Sequence, residues 1–173
     1  MLVSKQIWLL NQFEPSSPLR SNVQLCFEIL TLAQAIDQDC ANRLSAYGLS
    51  ESKFVLLGIL NAAPEQQCFP NLLADTLGIT RATVTGLLDG LEKSSYIQRL
   101  SGSHDKRKVA IQLTAKGQDI FNQVSAIHTE WISELFADLD PAEQKVLKKL
   151  LLKAWKKTDQ YQTQLEQEHA ISH

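Results

Sequence analysis

Residues 80–114, TRATVTGLLDGLEKSSYIQRLSGSHDKRKVAIQLT, constrain the fold of this chain more than any other stretch. Thr80 is placed to cap a helix whose apolar positions Val84, Leu87, Leu88 and Leu91 recur at helical spacing, with Arg81, Ala82, Thr83, Thr85 and Gly86 on or beside the open face. Such a helix shows one side to a partner. Two short strands are expected next, at residues 97–100 and 108–113, joined by the polar connector 101–107 with Gly102, so that the wing carries the cluster Asp105, Lys106, Arg107, Lys108. Upstream, residues 70–79 read as a short helix ended by Gly78, so two helices meet across a tight turn.

Helix, turn, helix, strand, basic loop, strand is the order of a winged helix-turn-helix. The motifs Leu72-Leu73-Ala74-Asp75-Thr76-Leu77-Gly78-Ile79, Ala82-Thr83-Val84-Thr85, Leu91-Glu92-Lys93, Asp105-Lys106-Arg107 and Leu113-Thr114-Ala115-Lys116-Gly117 occur in order. On these residues, the run from about 49 to 117 resembles the multiple-antibiotic-resistance regulator (MarR) family of winged-helix transcription factors. With the flanking helices, the resemblance covers roughly residues 20–157. It implies a mainly α fold with a small β-hairpin wing: a DNA-binding lobe at about 49–116, and a helical dimerisation region at about 19–47 and 117–157. A homodimer on a pseudo-palindromic double-stranded DNA operator is implied as well.

Net charge is only −2, yet it is unevenly spread. Residues 69–116 carry seven Lys or Arg against four Asp or Glu, while 1–68 sum to −2 and 117–173 to −3. Local positive charge is what phosphate contact needs, and acidic flanks keep the rest of the molecule off DNA. Arg81 is the residue best suited to a bidentate guanine contact, and Thr83 and Thr85 to phosphate, base or thymine-methyl contacts. By resemblance, Asp105 orients the wing by pairing with an arginine, and Arg107 enters the minor groove. Gly86 and Gly90 depart from the family pattern and cost the helix roughly 2 kcal/mol relative to alanine. They either let backbone approach DNA closely or reduce base contacts. Ser94-Ser95 stands where relatives have a helix-closing glycine, which asks a left-handed conformation of Ser95 at roughly 1–2 kcal/mol.

Outside this lobe, residues 1–18 read as a short helical arm and a Pro-containing linker, whose apolar residues can pack on the domain or on a second subunit. A long amphipathic helix is expected over 19–47, with the stripe Cys26, Ile29, Ala33, Ile36, Cys40, Leu44 and Tyr47. Gly48 ends it, Ser50 caps the next helix, and residues 54–60 form the central core element. Residues 61–67 read as a loop, and 66–69 as a short strand beside the wing. The stripe Ile120, Val124, Ile127, Trp131, Leu135, Leu139 and a further helix from Pro141 are assigned to dimerisation, and 158–173 to a polar tail.

Three cysteines with no CxxC pair make neither a disulfide framework nor a zinc site. No metal or cofactor is expected, and the chain has no Gly-rich phosphate loop, HExxH pair or nucleophile elbow, so enzyme function is not expected. No apolar run reaches membrane-span length and no secretory layout is present, so no membrane partner and a cytoplasmic location are expected. By resemblance, a small-molecule effector between the dimer helices and the DNA-binding lobe releases a repressor from its operator. Gln24-Leu25-Cys26-Phe27 also resembles the reactive-cysteine segment of the organic-hydroperoxide branch, which makes Cys26 a redox candidate, although Cys40 and Glu51 stand where that branch has activating tyrosines. Buried structural cysteine is the competing reading for Cys26, and a protein-interaction module without DNA binding is the competing reading for the whole chain.

Overall fold

A computed structural model describes residues 2–101, 109–161 and 163. The chain divides into two compact units, Met1–His128 and Thr129–His173. Its elements are α1 (Ser4–Leu10), α2 (Pro18–Ser45), α3 (Glu51–Ala62), β1 (Gln67–Cys68), α4 (Pro70–Leu77), α5 (Arg81–Lys93), β2 (Ile97–Ser101), β3 (Val109–Leu113), α6 (Ala115–Leu135) and α7 (Pro141–Trp155). No described helix is long and apolar enough to cross a membrane.

In the first unit the core gathers on α3. Ser50 starts that helix by accepting a hydrogen bond from the Lys53 amide, and Leu56, Leu57 and Leu60 follow at helical spacing with no exposed surface. Burying each such leucine is worth roughly 1.5–3 kcal/mol. Leu73 of α4, Val84, Leu88 and Leu91 of α5, and Ile97, Ile111 and Leu113 of the sheet close the cluster around them. The segment 61–67 is more ordered than a plain loop. Helix α3 runs to Ala62, and a single 3-10 turn, Pro64–Gln66, holds Glu65 and Gln66 at positive φ.

The sheet has strand order β1-β3-β2, antiparallel throughout. Gln67 pairs with Gln112 and Ile97 with Leu113, so the short strand expected beside the wing is present. Alternation along β3 sends Ile111 and Leu113 into the core, while the Gln112 carboxamide on the opposite face accepts from Gln98 at 2.7 Å.

Helix α2 differs from the simple stripe its sequence suggests. Leu44 near its C-terminus is buried, Ile36 and Cys40 are half-buried, and Cys26, Ile29 and Ala33 are exposed. Leu25 and Leu32 are exposed too, so the N-terminal half of α2 carries an open apolar face. Cys26 is therefore not a buried core residue of the single chain. The arm α1 packs on α2, tied by a 3.1 Å hydrogen bond between the Gln6 amide and the Thr31 hydroxyl, with Leu10 buried and Trp8 left open.

In the second unit, α7 starts with a full capping box. Asp140 accepts from the Ala142 and Glu143 amides, while Glu143 accepts from the Asp140 amide. Val146, Leu150, Leu151 and Trp155 of α7 are all exposed. Of the stripe expected on α6, Val124 and Trp131 are buried, Ile127 and Leu135 are exposed, and Leu139 falls beyond the helix end.

Candidate nucleic-acid interface

Helices α4 and α5 meet across residues 78–80. Gly78 takes the left-handed conformation (φ 64°) that ends α4, its amide and that of Ile79 bonding back to Asp75 and Ala74 carbonyls. Two residues later the Thr80 hydroxyl accepts from the Thr83 amide and starts α5. Val84, Leu88 and Leu91 hold α5 on the core, and the opposite side stays open.

On that open side Arg81, Ala82, Thr83, Thr85 and Gly86 are all exposed, as their spacing predicts. Arg81 occupies the first turn, where the helix dipole disfavours a cation, and it forms no ion pair with any described residue. The threonines are less free than the sequence suggests. Thr85 donates its hydroxyl proton to the Arg81 carbonyl at 3.0 Å, and Thr83 shares a 2.8 Å hydroxyl contact with Thr80. What they can offer a partner is mainly acceptor lone pairs and methyl groups.

The two glycines of α5 separate in role. A side chain at Gly86 would meet nothing within 4 Å, whereas at Gly90 it would lie 3.0 Å from Cε and Nζ of Lys53. Gly90 thus gives the Lys53 side chain from α3 room to cross the helix, a packing reason that the sequence reading did not contain.

Sequence reasoning also missed Arg99 on β2. Its guanidinium reaches Asp89 (2.6 Å) and Glu92 (2.5 Å) of α5, fixing the sheet to the open flank of the helix. The hydrogen bond that Arg99 donates to Asp89 holds its guanidinium above the ordinary value, against the smaller opposing effect of partial burial and with the neighbouring charge of Glu92 adding to it. Carboxylates three residues apart on a helix followed by an arginine in the next strand are the signal that could have shown it.

Ser95 does adopt the left-handed conformation (φ 61°). The remaining site residues named from sequence, Asp105, Lys106, Arg107 and Lys108, lie outside the described residues.

A helix-turn-helix with an open second helix, backed by a three-stranded sheet whose last two strands follow it, defines the chain as a winged helix-turn-helix protein. The sequence profile of the MarR family matches residues 47–108. The chain is 30% identical to the HTH-type transcriptional repressor YetL of Bacillus subtilis, over 75% of this chain and 78% of that one. It is 30% identical to the HTH-type transcriptional regulator PapX of Escherichia coli, over 80% and 86%. The apo structure of wild-type MarR from E. coli superposes with a TM-score of 0.58 at 27% identity, covering 73% of this chain and 92% of that one. The chain belongs to the MarR family.

Proposed function

We propose that this protein is a cytoplasmic homodimeric transcriptional regulator that binds double-stranded DNA sequence-specifically, acting as a repressor. It is not an enzyme in this reading. One observation carries it: α5 is anchored by three buried residues and presents an open face with a cation placed against its own helix dipole. A cation in that position is of use to an anionic partner. The names of the relatives, a transcriptional repressor and a transcriptional regulator, support the same reading.

The division of labour proposed is a DNA-binding lobe at about 49–116 and dimerisation through residues 19–47 and 117–157, with 1–18 as an arm and 158–173 as a tail. The open apolar residues of α2 and α7 support the second assignment, because faces of this size are usually covered. In a dimer the two α5 helices would enter successive major grooves about 34–36 Å apart. Arg81, Ala82, Thr83, Thr85 and Gly86 would face base edges and sugar-phosphate, and Asp105, Lys106, Arg107 and Lys108 the adjacent minor groove. Release by a small-molecule effector is the proposed switch. A redox switch at Cys26 is a second reading, favoured by the exposure of that thiol in the single chain.

Fluorescence anisotropy on labelled duplex from upstream of its own gene tests the reading. The reduced protein is expected to prefer this duplex to random duplex of equal length. Equal affinity for both would refute sequence-specific regulation at this site. Binding abolished by mild organic hydroperoxide and restored by thiol would select the Cys26 switch; binding indifferent to peroxide would select the small-molecule effector.

A further inference from the structure

The end of α5 and the start of α6 are joined through one hydroxyl. Thr114 precedes α6, and its Oγ1 accepts from the Gly117 amide at 3.0 Å, capping that helix. The same hydroxyl proton is shared between the Ser95 carbonyl (2.8 Å) and the Tyr96 carbonyl (3.0 Å), while the Thr114 amide also donates to the Tyr96 carbonyl. Lys116 Nζ donates to the Ser94 carbonyl at 2.9 Å and lies over the Tyr96 ring. Three successive carbonyls at the exit of α5 are thus held by two residues at the entrance of α6.

Close packing leaves this joint little play. Gly117 is buried where a Cβ would stand 2.0 Å from the Tyr96 carbonyl oxygen. Ser95 is held in the left-handed region, where a non-glycine residue needs support from its surroundings. A third element arrives at the same turn, because the Tyr96 hydroxyl donates to the Tyr47 carbonyl just beyond α2, at 3.5 Å.

Resting on the DNA-binding reading above, we propose that residues 94–96 are the joint that sets the pose of α5 on DNA, with Thr114 and Tyr96 as positioning residues. Through them the ends of α6 and α2 fix the exit of α5. Neither residue touches DNA. Base readout by a helix in the major groove depends on sub-ångström placement, whereas non-specific phosphate attraction does not, so loosening the joint removes specificity first.

The test uses full-length protein, labelled duplex from upstream of its own gene, and random duplex of the same length, each well below the variant's Tm. Thr114→Val keeps shape and loses the hydroxyl; it should weaken the specific complex about tenfold, leaving random-duplex affinity and salt slope unchanged. Thr114→Ser, which restores the hydroxyl, should return affinity to within about twofold of wild type, and Tyr96→Phe should lose about threefold. A lowered Tm with wild-type operator affinity in Thr114→Val would make the joint merely structural and overturn the proposal. If Thr114→Val does not fold, Tyr96→Phe decides alone, and wild-type affinity there overturns it. Wild-type protein that fails to discriminate the two duplexes overturns the regulator reading itself, and this inference with it.

Discussion

Arg99 Nη2 on β2 lies 2.6 Å from Asp89 Oδ1 on α5, and the same guanidinium reaches Glu92 one turn further along. Both carboxylates sit on the helix proposed to enter DNA, where uncompensated negative charge would oppose phosphate approach. Replacing Arg99 by Met should therefore cost more in binding than in folding. Stability should fall by about 1 kcal/mol, the scale of two exposed ion pairs. DNA affinity should fall about tenfold, with the deficit narrowing as salt screens Asp89 and Glu92. Parallel denaturation and anisotropy titrations check this, and a loss confined to stability would leave Arg99 as a fold residue only.

Gly86 and Gly117 make opposite predictions from their surroundings. At Gly86 a Cβ meets open space, so Gly86→Ala should stabilise α5 by about 1 kcal/mol through helix propensity alone. At Gly117 the same Cβ lands on the Tyr96 carbonyl and Leu113 Cδ1, so Gly117→Ala should destabilise by about 3 kcal/mol. Urea unfolding of the two variants measures both. Lower operator affinity in the more stable Gly86→Ala would identify close backbone approach to DNA as the reason for glycine there, and unchanged affinity would remove that reason.

Ser95→Gly should relieve the left-handed strain at the exit of α5. A gain of about 1 kcal/mol is expected, raising Tm by roughly 2–4 °C for a chain of this size. Differential scanning calorimetry reads it directly. No gain would mean that the hydrogen bonds of Thr114 and Lys116 already offset the strain.

Much of this fold was legible because its signals are local. Thr80, Ser50 and Asp140 each cap a helix where the sequence places a start, Gly78 ends one, and the strain on Ser95 follows from a missing glycine. The open face of α5 follows from periodicity, which also placed Arg81, Ala82, Thr83, Thr85 and Gly86 correctly on the exposed side. What periodicity does not carry is pairing between elements. Arg99 with Asp89, Lys53 against Gly90 and Thr114 with Ser95 join residues on different elements, through a geometry that exists only once the sheet and helices have packed. Cys26 shows the same limit in reverse: apolar spacing put it on a stripe, and the first unit leaves that part of the stripe uncovered.

The cysteines predict a pH dependence. Burial, with the charges of Glu51 and Asp37 adding to it, pushes the Cys40 thiol above its ordinary 9.0, and burial does the same to Cys68. Unfolded chains release these protons from about pH 9, while the folded protein holds them to higher pH. The unfolded state then binds fewer protons, so their stabilising contribution is complete below 9.0 and is lost as pH rises through the folded values. The fall in Tm between pH 8 and about pH 10 should be smaller in Cys40→Ala/Cys68→Ala than in wild type. At about pH 8, in protein diluted until the dimer dissociates, a disulfide reagent should modify Cys26 quickly and the other two thiols slowly, and equal rates for all three would contradict this placement.

Arg81 and Arg107 should fail differently when each is replaced by Ala. Arg81 stands at the exposed start of α5, where a bidentate guanine contact is worth about 1–3 kcal/mol of discrimination. Its loss should relax preference at one operator position per half-site and leave binding to random duplex nearly intact. Arg107 is proposed for the minor groove, where its contribution would be charge drawn to a narrow, negative groove. Its loss should weaken binding to all duplexes and reduce the slope of log affinity against log salt by about 1 for each phosphate it no longer neutralises. Anisotropy titrations over several salt concentrations, on operator and on single-position variants of it, separate the two patterns. A wild-type salt slope in Arg107→Ala would sink the wing assignment, and unchanged positional preference in Arg81→Ala would move base reading to other residues of α5.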